Sequence, residues 1–224
     1  MKTIQLKNSL EEIYKNINNS QQPNQKVKLL AVTKNHPPTA IQKATELGIC
    51  YFGENKVQEA ETKKPHLSTE TELHLIGHLQ SNKIKKALTI FNVIQTVDTL
   101  KLAIKINLHA AKMNKKQRIY CQINIGKDSN KTGFTIDELN THIKEIVKLP
   151  NIFLEGIMTI LPQGLKDDEI KNLYTQTKRI RDDINKTYNR NLELSMGMSN
   201  DYQLAIECGS TFVRIGTKLF GQRK

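Results

Sequence analysis

Lys34 ends the apolar run Leu29-Leu30-Ala31-Val32-Thr33 and is followed by Asn35-His36-Pro37. An ammonium at the end of a buried strand is partly desolvated, which lowers its pKa and increases the fraction of neutral, nucleophilic amine. Such an amine condenses with an aldehyde to an imine, the chemistry of a Schiff-base lysine. On its own the residue could equally open a solvated loop. A second constellation lies near the C-terminus, in Gly197-Met198-Ser199-Asn200-Asp201 and Arg214-Ile215-Gly216-Thr217. Ser199 could cap a helix beginning near Asn200 and present its hydroxyl and the first free amides to an anion. Gly216 would admit a ligand close to the backbone, and Thr217 would add a hydroxyl. Neither segment is a GxGxxG or Walker pattern, so an ordinary cap and turn would read the same way.

Further polar residues follow other apolar runs: Asn55 after Gly53-Glu54, His78 after Gly77, Asn82 after Ser81, and Asp98 after Val97. Asn55 and Asn82 could bond a ligand or start a helix, and His78 could line a pocket or be held by backbone. His74 and His78 flank Leu75-Ile76-Gly77, and a spacing of four does not bring two imidazoles together on a strand, so no metal site is expected there.

The elements that must position these residues are legible in the apolar pattern. Short runs rich in β-branched residues occupy 27–33, 49–52, 73–76, 93–96, 118–125, 152–158, 192–196 and 212–215. Segments of helical period lie between them at 38–47, 54–64, 81–88, 99–112, 136–148, 167–187 and 201–208, and a further amphipathic segment at 4–17 precedes the first run. Near-continuous apolar strands alternating with helices predict a parallel sheet covered by helices, and eight such units close into a (β/α)8 TIM barrel. An open doubly wound sheet is the competing fold. The segment after the last strand is too short for a normal eighth helix, so the helix at 4–17 is expected to take that place. The chain is expected to form a single barrel domain over residues 1–224. In that fold, ligand chemistry sits at the C-terminal ends of the strands, and the loops after strands 7 and 8 are a common phosphate site.

Composition narrows the function classes. The net charge is +12, but only six of the 34 basic residues are arginine (118, 179, 181, 190, 214 and 223), and the lysines are scattered over helical faces. Nucleic-acid readers concentrate arginine where bidentate contacts are made, so nucleic acid is not an expected partner. The three cysteines, Cys50, Cys121 and Cys208, have neither disulfide-framework nor zinc spacing and read as small buried hydrophobes. No window approaches a membrane span or a secretory leader, which predicts a soluble, cytoplasmic protein.

With these residues in place, the chain closely resembles the YggS/PROSC family of pyridoxal 5′-phosphate (PLP) homeostasis proteins, which share the alanine-racemase N-terminal barrel. The blocks that carry the resemblance are LLAVTK, FGENKVQEA, HLIGHLQSNK, IQTVD, GIMTI and SMGMSNDYQLAIECGSTFVRIGTKLFG. They span nearly the whole chain. The resemblance implies an internal aldimine between PLP and Lys34, with Ser199, Gly216 and Thr217 holding the phosphate. It also implies Arg214 near the pyridine nitrogen and Asn55 and His78 near the cofactor. Thr33 and His36 stand where the family often has serine and lysine, and the stretch 124–133 keeps the family's polarity with altered spelling.

An arginine at the pyridine nitrogen cannot keep that nitrogen protonated, so the ring is a weaker electron sink. Alanine racemase, which resembles this barrel, adds a tyrosine from a further C-terminal domain, and this chain ends at Lys224. The expected role is therefore a monomeric carrier for PLP homeostasis that hands the cofactor to apo-enzymes, with no catalytic residues assigned. The alternative is a PLP-dependent amino-acid racemase or lyase.

Overall fold

The computed structural model describes residues 3–221, so positions 1–2 and 222–224 of the expected domain lie outside the described residues. Eight parallel strands pair in sequential order and close: β1 (Lys28–Val32), β2 (Tyr51–Glu54), β3 (Glu72–Leu75), β4 (Val93–Val97), β5 (Gln117–Ile123), β6 (Ile152–Thr159), β7 (Glu193–Ser195) and β8 (Phe212–Ile215). The barrel expectation holds and the open sheet is excluded, because β1 pairs with β8 through Lys28–Phe212, Leu29–Val213, Leu30–Arg214 and Ala31–Ile215.

Helix α1 (Thr3–Ser20) precedes the barrel and buries Leu6, Leu10, Ile13 and Ile17, one stripe at the three-to-four residue period. It packs on α8 (Tyr202–Glu207) and on the single-turn α9 (Thr217–Phe220) that follows β8. The place of a full eighth helix is filled as the sequence predicts. The other connections carry α2 (Pro38–Glu46), α3 (Val57–Lys63), α4 (Ile84–Ile90), α5 (Leu100–Lys112), α6 (Ile136–Ile146) and α7 (Asp167–Tyr188). Three of these expose clear start signals. Pro38 opens α2, Thr99 accepts the amide of Leu102, and Thr135 with Glu138 forms a capping box. The helix expected over 54–64 starts only at Val57, because Glu54 still belongs to β2. The one expected over 81–88 opens with a 3-10 turn at Ser81–Lys83. Cys121 is buried, with its thiol pushed up to about 12 by desolvation, whereas Cys50 is exposed, against the expectation that all three cysteines lie in the core.

Strand alternation divides the side chains between two environments. Leu29 and Ala31 join the main core between sheet and helices, while Leu30 and Val32 point into the lumen with Ile76, Phe212 and Tyr51. At the N-terminal end of the barrel the lumen is ionic. Lys28 pairs with Glu193 at 2.5 Å, and the Tyr120 hydroxyl donates to the same carboxylate. Arg118 donates through Nε and Nη2 to Glu155 at 2.6 Å each, and through Nη1 reaches Glu72 at 2.9 Å. The hydrogen bond from His74, followed by that from Arg118, overcomes partial desolvation and lowers the Glu72 carboxyl from 4.5 to about 2.

A carboxyl more acidic in the folded than in the unfolded chain contributes stability that is complete above its unfolded pKa and is lost as pH falls through the folded one. The wild type is therefore expected to lose stability between pH 4.5 and about 2 more steeply than Glu72→Gln. Parallel pH profiles of thermal melting for the two proteins would sink this assignment.

Candidate functional site

Two groups of loops meet at the C-terminal mouth of the barrel. The first follows β1 to β4. After Val32 the chain leaves the strand, Thr33 N donates to Gly53 O at 3.1 Å, and Lys34 lies half-buried in the turn that follows. Asn35 takes a positive φ of 62°, a conformation asparagine tolerates better than most residues, and this turns the chain sharply after Lys34.

The backbone on both sides of Lys34 is gripped by a buried charge cluster. Lys63, on α3 and only 2 % exposed, donates to Thr33 O at 2.6 Å, Glu54 Oε1 at 2.6 Å and Glu59 Oε1 at 2.7 Å. Glu59 in turn accepts the Asn35 amide at 2.5 Å, and the Thr33 hydroxyl donates to Glu54 at 2.5 Å. The residue before Lys34 and the residue after it are thus tied to the same ammonium. Burial pushes the Glu54 carboxyl up, against the hydrogen bonds from Lys63 and Thr33. No single-residue pattern marks this cluster. The Glu59–Lys63 spacing of four on α3 is the one local signal of it in the sequence.

The loops after β2, β3 and β4 are locked to one another. A Cβ at Gly77 would fall 2.2 Å from Asn55 O, so only glycine lets the third loop lie against the half-buried Asn55. Thr96 Oγ1 donates to Gly77 O at 2.8 Å. His78 is exposed at the mouth, and its Nδ1 lies 3.1 Å from Oδ2 of buried Asp98. His74 is fully buried in the lumen and shares nothing with His78. Asn82 is exposed in the 3-10 turn.

The second group follows β7 and β8. Ser199 does not cap a helix, contrary to expectation: α8 begins at Tyr202 with Asp201 as its N-cap residue, and Asp201 Oδ1 accepts the amide of Met198. The Asp201 carboxylate makes no capping bond to the helix: its Oδ1 takes the Met198 amide and its Oδ2 accepts the Tyr174 hydroxyl. The Ser199 hydroxyl instead accepts the Lys218 amide at 3.3 Å, which ties the seventh loop to the eighth beside Gly216 and Thr217. Gly197, at a φ of 94°, lies so close to α8 that a Cβ would sit 2.6 Å from that of Ala205. Arg214 is 4 % exposed, donating through Nη1 to Ser195 Oγ at 2.8 Å and through Nη2 to Thr159 O at 2.7 Å. Both acceptors are neutral. Desolvation lowers its pKa, opposed by the charges of Tyr174 and Asp201.

Closure brings the two groups together. Arg214 stands in register with Leu30 on the lysine-bearing strand, and a Cβ on Gly216 would sit 3.3 Å from Val32 O. The structure therefore gathers Lys34, Asn55 and His78 on one side of the mouth and Ser199, Gly216, Thr217 and Arg214 on the adjoining side. Such an arrangement can take a phosphorylated aldehyde: a lysine on a fixed turn, a buried guanidinium with only neutral protein acceptors, and small and hydroxyl residues where an anion needs room.

The fold and this mouth define a class. The family described as "Alanine racemase, N-terminal domain" matches residues 9–224, and the chain belongs to it. Within that class it is a member of the pyridoxal phosphate homeostasis protein family. It is 40 % identical over 200 residues to the Synechocystis protein of that name, covering 88 % of this chain and 92 % of the relative. It is 36 % identical to the Vibrio cholerae one, covering 100 % and 98 %. Among solved structures it matches PipY of Synechococcus elongatus, determined with PLP bound, with a TM-score of 0.87 and 34 % identity over 96 % of this chain and 100 % of that one.

Removing the cation from the cluster behind Lys34 leaves two carboxylates facing a buried gap. Lys63→Met is expected to destabilise the protein by about 3–5 kcal/mol, and adding Glu54→Gln to recover part of that loss. Urea unfolding of the single and double variants measures both, and additive effects would refute the coupling.

Proposed function

We propose that this protein is a reversible PLP carrier in cofactor homeostasis, holding PLP covalently through the Lys34 amine. The observation that carries the reading is the seam between β8 and β1, which sets Arg214 and Gly216 against the strand leading into Lys34. Its relatives bear the name pyridoxal phosphate homeostasis protein, and PipY holds PLP. The residues at the mouth suit the group. Ser199, Gly216 and Thr217 would hold the phosphate, Arg214 would face the ring nitrogen, and Asn55 and His78 would flank the ring. Bound PLP supplies an aldehyde carbon. The Lys34 amine would hold the group through that aldehyde, an attachment of amine to aldehyde that releases water and is reversible. An attachment of that kind could be surrendered to an amine of an apo-enzyme without net oxidation or reduction, which fits a role in delivery.

What these residues do is hold rather than transform. The Lys63 cluster keeps the turn around Lys34 in one conformation, and preorganisation of this kind reduces the entropy lost on attachment. An arginine offers the ring nitrogen no acidic proton, so strong carbanion stabilisation is not supplied. We place the protein in the cytoplasm as a single-domain monomer. Among the described residues, no helix is long and apolar enough to cross a membrane.

One observation favours a second reading as an amino-acid racemase or lyase. The His78–Asp98 pair at the mouth has the form of an imidazole oriented by a carboxylate, as a general base requires. Deuterium incorporation at Cα of a panel of amino acids in D2O tests it, and no exchange is expected.

For the carrier, borohydride reduction of the PLP-loaded protein followed by peptide mass spectrometry is expected to place the pyridoxyl group on Lys34. Lys34→Ala should abolish both the adduct and the absorbance of bound PLP. An adduct on another lysine in the wild type would refute the assignment.

A further inference from the structure

Arg214 is the near end of a hydrogen-bond chain that crosses the barrel lumen. Its Nη1 donates to Ser195 Oγ at 2.8 Å, Ser195 Oγ donates to Gln95 Oε1 at 2.7 Å, and Gln95 Nε2 lies 2.8 Å from His74 Nδ1. His74 Nε2 is 3.3 Å from Glu72 Oε2, which also receives Arg118 at 2.9 Å. The chain passes from β8 to β7, across to β4, and on to β3. Ser195, Gln95 and His74 are each 0 % exposed.

The direction of every link is dictated by the two ends. A guanidinium only donates, so Ser195 must accept from it and give its own proton to Gln95 Oε1. That leaves the Gln95 amide nitrogen toward His74, so Nδ1 accepts and the imidazole proton sits on Nε2, facing the Glu72 carboxylate. All the donors point toward Glu72. The negative ends of the dipoles face the Arg214 cation and the positive ends face the carboxylate, so both end charges strengthen the links between them.

Protonating His74 would break this order. An Nδ1–H would oppose the Gln95 amide, the amide would have to turn over, and the Ser195 hydroxyl would lose its acceptor. The surroundings oppose that event. Burial lowers the His74 pKa, as does nearby Arg118 on β5, against Glu72 on its own strand and Glu155 on β6; Tyr51 and Phe212 close the remaining sides with their rings.

We infer that Ser195, Gln95 and His74 are positioning residues, a one-way relay that holds Arg214 as a charged donor of a single orientation for the ligand at the mouth. The inference rests on the PLP reading for the identity of that ligand. The Thr159 carbonyl fixes one guanidinium nitrogen and the relay the other, so the plane of the group is set by two different strands. Without the relay, Arg214 would keep its place in β8 but gain rotational freedom and a buried N–H with no acceptor.

The test uses the full-length protein. In the 15N-labelled, ligand-free wild type, NMR should show His74 with Nδ1 as acceptor and Nε2 protonated. In PLP titrations, Ser195→Ala and Gln95→Leu should each bind about tenfold more weakly and share a displaced absorbance band, since an unaimed Arg214 leaves the ring nitrogen in a different environment. Ser195→Thr, which keeps the hydroxyl, should restore both. Folded Ala and Leu variants with wild-type affinity and band would overturn the relay, as would a protonated Nδ1 in the wild type, a measurement that needs no variant to fold. Absence of a borohydride-trapped adduct in the wild type would instead overturn the PLP reading, a failure visible independently of the His74 tautomer.

Discussion

Everything at the mouth depends on the pairing of β1 with β8, four residue pairs long, that converts a run of eight strands into a closed ring. The pairing unites the start of the chain with its end. Lys34 and the stretch from Arg214 to Thr217 are far apart in sequence, yet the register places Leu30 beside Arg214 and Val32 beside Gly216. The glycine is a condition of this closure, because a side chain there would press on the backbone of the strand that leads into Lys34. Helix α1 supports the same seam from outside by packing on α8 and α9, the elements nearest to it.

Inside the ring, polarity is sorted by height. The N-terminal end is an ionic layer in which Lys28, Glu72, Arg118, Glu155 and Glu193 satisfy one another. Above it lies an apolar belt of Leu30, Val32, Ile76 and Phe212 beside the hydroxyl, amide and imidazole links between Glu72 and Arg214. Buried polar groups are costly when unpaired, and here they form a connected set with a charge at each end. Such a lumen is stiff. It holds the guanidinium near the mouth without placing a carboxylate against it, which leaves that cation available to a ligand.

Lys34 is supported differently. It stands in the turn after β1, and the backbone of its neighbours Thr33 and Asn35 is bound by the Lys63–Glu54–Glu59 cluster. A fixed backbone with a long side chain suits reversible attachment, since the amine has to reach its partner and later surrender it. Arg214 is thus fixed through its guanidinium, and the turn that carries Lys34 is fixed through the backbone of its neighbours. On the carrier reading, the first orients the bound group and the second makes and breaks the bond.

The apolar pattern alone determined the eight strands, most of the helices and the parallel sheet, because period and β-branched composition are local properties that survive without partners, whereas the pairing of β1 with β8 decided closure over an open sheet. Position after a strand, sharpened by family resemblance, singled out Lys34, Asn55, His78, Ser199, Arg214, Gly216 and Thr217. The tertiary structure decided what no local pattern encodes. Ser199 does not start α8, because its hydroxyl accepts the Lys218 amide of the adjoining loop, a contact that only the fold creates. His74 and His78 have unrelated surroundings despite their spacing, because strand alternation and the end of β3 send one into the lumen and leave the other at the rim. Lys63, Gln95 and Ser195 read as ordinary surface or strand residues until closure sets them beside Thr33, His74 and Arg214. Hydrogen bonds act over about 3 Å, and only the folded chain says which distant residues come that close.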